Sequence, residues 1–173
     1  TKLNTEQEEM SQTIGKSGHQ LLALINSILD FSRAESGRIT VKAADFDLVS
    51  MLSEIRSMLT LEAQRKNVGL TFHCTARTPQ LLVGDKNHLE EVLTNLASNA
   101  VKFTERGYVN IAVDAVAWDA DTVRLRFEVT DTGIGISPDA QSRIFDRFTQ
   151  ADETIIDRFG GTGLGLAIAK QLV

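Results

Sequence analysis

Apolar positions divide this chain into two styles. Over residues 4–37, Met10, Ile14, Ser17, Leu21, Leu24, Ile28 and Phe31 recur at alternating steps of four and three, the spacing of a coiled-coil seam. Leu22, Ile25 and Leu29 widen that stripe beyond a two-stranded seam. One long helix is predicted, and its apolar face requires a partner helix. Thr5 with Glu8 resembles a capping box and Gly37 a stop. Gly15 and Gly18 each weaken the middle by about 1 kcal/mol relative to alanine.

Beyond residue 37, helical and alternating segments interleave. Ile39-Thr40-Val41 predicts a short strand. Asp45 or Asp47 caps a helix running to about Lys66, with Leu48, Met51, Leu52, Ile55, Met58 and Leu59 on one side. Residues 68–74 alternate as a half-buried strand, Pro79 marks a loop, and Leu81-Leu82-Val83 is a short apolar strand ending at Gly84-Asp85. A helix over 87–103 and longer strands over 108–116 and 123–130 follow, the two strands turning near 119–121. Residues 133–161 are mostly polar and flanked by glycine, a long excursion of the functional or mobile kind. The expected fold is α+β: a helical arm, then an α/β sandwich of mixed strand order.

Composition narrows the function classes. The 173 residues suffice for one core and an appended element. A net charge of -5 without any basic run argues against a nucleic-acid partner. Cys74 stands alone, which excludes a disulfide framework or a cysteine metal site and suits a small hydrophobe in a reducing compartment. No apolar run approaches the roughly 20 residues that span a membrane, and the first residues do not form a signal peptide. A cytoplasmic chain without membrane contact of its own is expected, either as it stands or as the soluble part of something larger such as a membrane sensor.

Three stretches carry candidate chemistry. Gly160-Gly161-Thr162-Gly163-Leu164-Gly165-Leu166 runs into an apolar helix former, and glycines before a helix N-terminus favour a phosphate. It is not a Walker A loop, since Leu166 rather than Lys-Ser or Lys-Thr follows the last glycine. A dinucleotide fingerprint opening at Gly163 would need glycine where Ile168 stands. Asn95 and Asn99 share one helix face, with Lys102 three residues on. Asparagine is an indifferent helix former whose carbonyl oxygen suits Mg²⁺, and Lys102 offers a point charge to a phosphate. Two exposed asparagines are the bland alternative. Asp131-Thr132-Gly133-Ile134-Gly135 closes a strand. An ionised carboxylate there could accept from an exocyclic amino group such as adenine's, or the stretch is a plain Asp-Gly turn.

In chain order the asparagine face, the Asp131 stretch and the glycine-rich stretch, with Ile144-Phe145-Asp146-Arg147-Phe148 between the last two and Leu29-Asp30-Phe31-Ser32-Arg33-Ala34-Glu35-Ser36-Gly37 before them all, resemble sensor histidine kinases of two-component systems. The resemblance covers nearly the whole chain. It implies that residues 1–37 are the second helix of a dimerisation and phosphoacceptor domain. Residues 38–173 would be a Bergerat-type ATP-binding domain, a mixed sheet with helices layered on one face. It implies ATP and Mg²⁺ as cofactors: Asn99 on the metal, Asn95 beside it, Lys102 at a phosphate and Phe103 near the base. Asp131 would read adenine with Gly133, Gly135 and Ile136 at its edge. Gly161, Thr162, Gly163, Leu164, Gly165 and Leu166 would line the phosphates. Residues 137–159 would form a mobile lid anchored by Phe145 and Phe148, with Arg143, Arg147 and Arg158 within reach of the γ-phosphate. The partners implied are a response regulator or receiver domain and a second copy of the chain.

Two parts of the family pattern are missing. The phosphoacceptor, a His followed by an acidic residue and then Arg-x-Pro, is matched by none of His19, His73 and His88. The last strands of the sandwich are expected beyond Val173, so the chain reads as truncated at both ends. The reaction implied is transfer of the γ-phosphoryl of ATP to a histidine on the missing helix, then to an aspartate of a regulator. A clamp ATPase like gyrase or Hsp90 is one alternative, but those carry a glutamate where Asn95 stands, and asparagine cannot serve as a base. A non-catalytic nucleotide-binding module is the other.

Overall fold

The computed structural model describes residues 40–146 and 163–173, together with Met10, Gly15 and Gly18. The chain divides into two compact units, 1–39 and 40–173. In the first, the three described residues are helical, and the rest of the predicted arm lies outside the described residues.

The second unit contains β1 (Ala44–Asp47), α1 (Leu48–Lys66), β2 (Val68–Cys74), β3 (Leu81–Gly84), α2 (Lys86–Phe103), β4 (Gly107–Trp118), β5 (Val123–Asp131), α3 (Pro138–Gln141) and α4 (Gly165–Leu172). The first strand is the main correction. Thr40 and Val41 are not in a strand, and pairing begins at Ala44, antiparallel to β3. There Phe46 packs toward the core opposite Leu82, whereas Val41 is exposed. A β-branched pair reads as a strand locally, but only an inward-facing aromatic gives the segment something to bury.

Helix boundaries follow from their caps. Asp47 accepts from the Ser50 N–H at 2.7 Å and from Gln80 Nε2 at 2.6 Å, which starts α1. Asp85 accepts from His88 N–H at 3.2 Å, which starts α2. Leu48, Met51, Leu52, Ile55 and Leu59 of α1 are buried as expected, but Met58 is exposed. It lies three residues from Ile55 yet on the rim of the stripe, past the width that the sheet covers.

A three-stranded sheet runs β2-β4-β5, with β2 and β4 parallel and β4 and β5 antiparallel. Parallel neighbours need a crossover, and α2 provides it. One core joins α1 and α2 to the inward residues Val68, Val109, Ile111 and Val113, each buried side chain of that size contributing about 1.5–3 kcal/mol. The opposite face is polar: Thr71 Oγ1 bonds Asn110 Oδ1 at 2.8 Å, and Asp114 takes Thr75 and Arg77. Cys74 is half-buried against the core, and burial pushes its thiol up.

This topology fixes where the candidate residues meet. The crossover delivers the C-terminus of α2 to the start of β4. The β4–β5 hairpin then returns the chain to the same place, with Asp131 opposite Val109.

Candidate nucleotide site

The end of α2 and the strip after β5 are joined by backbone. Ile134 N–H donates to the Phe103 carbonyl at 3.2 Å. Gly133 lies so close that an added Cβ would stand 2.5 Å from that same oxygen and 2.8 Å from Asp131 Oδ1. Its own N–H donates to Asp131 Oδ1 at 2.8 Å, so the aspartate side chain and the glycine form one tight turn. Asp131 itself is exposed. Gly135 has φ +71°, a left-handed backbone open to glycine at little cost, with nothing near its missing Cβ. Ile136 is exposed beside it.

Thr132, between the two motif residues, anchors the strip from below. Its hydroxyl accepts from Tyr108 N–H at 2.9 Å. It occupies the space a Cβ on Gly107 would need, and Gly107 has φ +112°. The motif was legible in sequence; the threonine that pins it to β4 was not singled out.

The asparagine helix meets the glycine-rich stretch directly. α4 packs along α2, and a Cβ on Gly165 would stand 3.0 Å from Asn95 Oδ1. Close approach favours glycine there, since a side chain would press on the Asn95 amide. α4 also differs from the other described helices at its start. Asp47, Asp85 and Ser137 cap α1, α2 and α3 with side-chain oxygens, whereas the residue before α4 is Leu164, which contributes no side-chain cap. A helix start without a side-chain cap, entered through Gly163 at φ +69°, suits an anion. Leu164 is buried, and Leu166 is half-buried.

Asn95 and Asn99 are half-buried on the face of α2 away from the main core. Among the described residues no group of three or more His, Cys, Asp or Glu stands together. A divalent ion here would therefore rest on asparagine oxygen, phosphate oxygens and water, a set that fits Mg²⁺. Lys102 stands 4.9 Å from the ring centroid of Phe103. Burial pushes its ammonium below the usual lysine range, Lys66 adds to that, and Glu62 opposes it. Lys102 is thus held beside Phe103 at the end of α2.

Of the other expected residues, Phe145 is described, 5.7 Å from Lys170 Nζ of α4 by its ring centroid. Arg143 closes the short turn after α3, its N–H donating to the Ala140 carbonyl. Arg147, Phe148, Arg158, Gly161 and Thr162 lie outside the described residues. The structure therefore brings Phe103, Asp131 and Gly133 together at the end of α2, and Asn95 together with Gly165 further back along it.

Known proteins resemble this chain in sequence and in fold. The family described as histidine kinase-, DNA gyrase B-, and HSP90-like ATPase matches residues 84–173. The sensory/regulatory protein RpfC of Xanthomonas campestris is 44% identical over 174 residues, covering 100% of this chain and 24% of RpfC. The signal transduction histidine-protein kinase BarA of Escherichia coli is 40% identical over 173 residues, covering 100% of this chain and 19% of BarA. The crystal structure of full-length ShkA in complex with AMPPNP superimposes with a TM-score of 0.79 at 36% identity, over 99% of this chain and 34% of ShkA. The Acinetobacter baumannii histidine kinase AdeS shares the fold at a TM-score of 0.75 and 17% identity, over 99% of this chain and 74% of that one. The chain thus spans about a quarter or less of RpfC and BarA. These matches agree with the resemblance drawn from the motifs: the chain belongs to the histidine kinase-, DNA gyrase B- and HSP90-like ATPases, on their sensor histidine kinase branch, whose ATP-binding catalytic part it carries.

Proposed function

We propose that this chain binds Mg²⁺-ATP between α2, the Asp131 strip and α4, and presents the γ-phosphoryl to a histidine on a separate acceptor helix. The observation that carries the reading is the approach of Gly165 to within 3.0 Å, by its missing Cβ, of Asn95 Oδ1, which sets a phosphate-binding helix start against the oxygen-rich face of α2. That the relative ShkA was crystallised with AMPPNP supports it.

In this reading Asp131 accepts the adenine amino group with the oxygen not used by Gly133, and Phe103 and Ile136 flank the base. Asn99 would hold Mg²⁺ with Asn95 beside it, and a bound ion there would supply the neutralisation of phosphate charge that phosphoryl transfer requires. Gly161, Thr162, Gly163, Leu164, Gly165 and Leu166 line the phosphates, Lys102 turns its ammonium to one of them, and Arg158 contacts the γ-phosphate. An imidazole nitrogen then attacks phosphorus; a P–N bond forms as the bond to the leaving ADP breaks. Asn95 offers no base for water, which disfavours a clamp ATPase. Residues 1–37 form the second dimerisation helix of a homodimer, and the phosphoryl passes on to a receiver-domain aspartate in the cytoplasm. Two relatives are named as hybrids, a hybrid signal transduction protein and a hybrid signal transduction histidine kinase, which supports a receiver as partner.

None of this chain's own histidines serves as acceptor. His73 lies on the outer sheet face, and His88 Nδ1 is 3.2 Å from the capping Asp85 carboxylate. His88 is seven residues from Asn95, roughly 10 Å along a rigid helix. His19 lies outside the described residues. The test is incubation with γ-labelled ATP, alone and with a separate protein presenting an acceptor helix. Acid-labile label should appear on the added helix and not on this chain. Stoichiometric label on His19 would overturn the acceptor assignment, and rapid phosphate release without any acceptor would favour the clamp ATPase.

A further inference from the structure

The last turn of α2 carries the contact on which the adenine-facing strip depends, and an α-helix leaves its final carbonyls without partners of its own. Here all four find one. The Ala100 carbonyl takes the Thr104 N–H at 3.1 Å, and the Phe103 carbonyl takes the Ile134 N–H at 3.2 Å. The two between them, Val101 and Lys102, both accept from Lys66 Nζ, the first at 2.9 Å. Lys66 is the final residue of α1 and half-buried. It belongs to none of the three motifs.

We infer that Lys66 is a positioning residue of the nucleotide site, acting through the end of α2. Its ammonium sits at the negative end of the α2 dipole and fixes the turn that presents Phe103. That turn in turn holds Ile134, and Ile134 holds Gly133 and Asp131 in register with the base. Loss of the ammonium removes the donor that these two carbonyls share, so the turn loosens and the Phe103–Ile134 bond weakens with it. The inference rests on the reading that a nucleotide binds at this end of α2.

The experiment uses the full 173-residue chain with Lys66→Met, which keeps the apolar stem, and Lys66→Arg, which keeps a charged donor. Mg²⁺-AMPPNP and adenosine affinities are measured at least 15 °C (about four to seven times the shift of a 1 kcal/mol change) below each melting temperature. Lys66→Met is expected to weaken both ligands about tenfold, the scale of lost charge-assisted hydrogen bonds. Lys66→Arg should stay within about twofold of wild type. Hydrogen exchange supplies a second readout: the Ile134 amide should lose protection in Lys66→Met while the β4 amides keep theirs. If the methionine variant does not fold, Lys66→Gln replaces it in the same measurements. Wild-type affinities in a folded Met or Gln variant, with the Ile134 amide still protected, would overturn the inference alone. Failure of the wild-type chain to bind Mg²⁺-AMPPNP would overturn the nucleotide reading and this inference with it.

Discussion

α1 and α2 are nearly equal in length, 19 and 18 residues, and both start at an aspartate cap, yet they end in opposite ways. α1 closes on itself: Asn67 takes a left-handed turn at φ 55°, and its N–H returns to the carbonyls of Ala63 and Gln64. α2 ends in an extended Thr104 and takes its remaining partners from α1 and the Asp131 strip. A self-closed end needs nothing from its surroundings and serves as scaffold. An end that borrows partners transmits whatever disturbs them. The same division appears along the helices. α1 commits its inward stripe to the core, while α2 also keeps a second, polar face with Asn95 and Asn99, on which Asn95 meets Gly165 of α4.

The comparison is broken or sharpened most strongly at Asn99. Asn99→Ala should weaken Mg²⁺-ATP by roughly 10–100-fold or more, the scale on which even indirect partners of a metal matter, while metal-free ATP loses far less. Equal losses with and without Mg²⁺, by calorimetric titration, would remove Asn99 from the metal.

Next in size is base selection at the borrowed end. Guanine presents a carbonyl where adenine presents an amino group, so GTP would leave the Asp131 carboxylate facing an acceptor. A preference for ATP of roughly 5- to 150-fold is expected from an unpaired buried polar group. Comparable affinities in a competition titration would sink the assignment.

Gly133→Ala then tests the strip mechanically. Its Cβ would meet the Phe103 carbonyl at 2.5 Å and carbon at 2.9 Å, backbone that cannot rotate away. The expected cost is about 1–3 kcal/mol of overpacking, seen as a lower melting temperature together with weaker ATP binding. Asn67→Ala is the counterpart at the closed end. It should cost about 1–2 kcal/mol for a left-handed alanine and leave ATP affinity unchanged once folded. A matching loss of affinity there would erase the distinction between the two helix ends.

The smallest effect concerns the caps that the helices share. Backbone N–H donors hold the Asp47 and Asp85 carboxyls below the ordinary aspartate range, Ser50 leading at the first and Lys42 and His88 at the second. Depressed folded values stabilise the fold above the unfolded pKa, and that contribution disappears as pH falls through them. Stability should therefore hold above about pH 4 and decline below it. Asp47→Asn and Asp85→Asn should flatten that decline in acid melts, and an unchanged slope would show that other carboxylates govern it.

Much of the unit after residue 39 was legible because its signals are local. Alternation at 68–74, a cap at Asp45 or Asp47, and the stripe of α1 each concern residues a few positions apart, and each appears in the structure, the cap at Asp47. Misreadings arose where burial was decided elsewhere: Val41 looks like a strand residue and Met58 like a core residue until the sheet shows what it covers. The three motifs were likewise visible as strings, because glycine, asparagine and aspartate are poor choices for the elements in which they stand.

What the sequence determined by itself was the identity of the chemistry: oxygen donors on one helix face, a carboxylate before glycines, and a helix opened by glycine. Short-range spacing suffices for that. Only the tertiary structure decided that these pieces meet. The parallel β2–β4 pairing forces a crossover through α2, and the antiparallel hairpin returns Asp131 to its end. Only there does Lys66, 35 residues from Val101 in sequence, become the cap of another helix. A lysine in a last turn announces a favourable charge at its own helix end; which carbonyls it reaches depends on which helix the fold lays beside it.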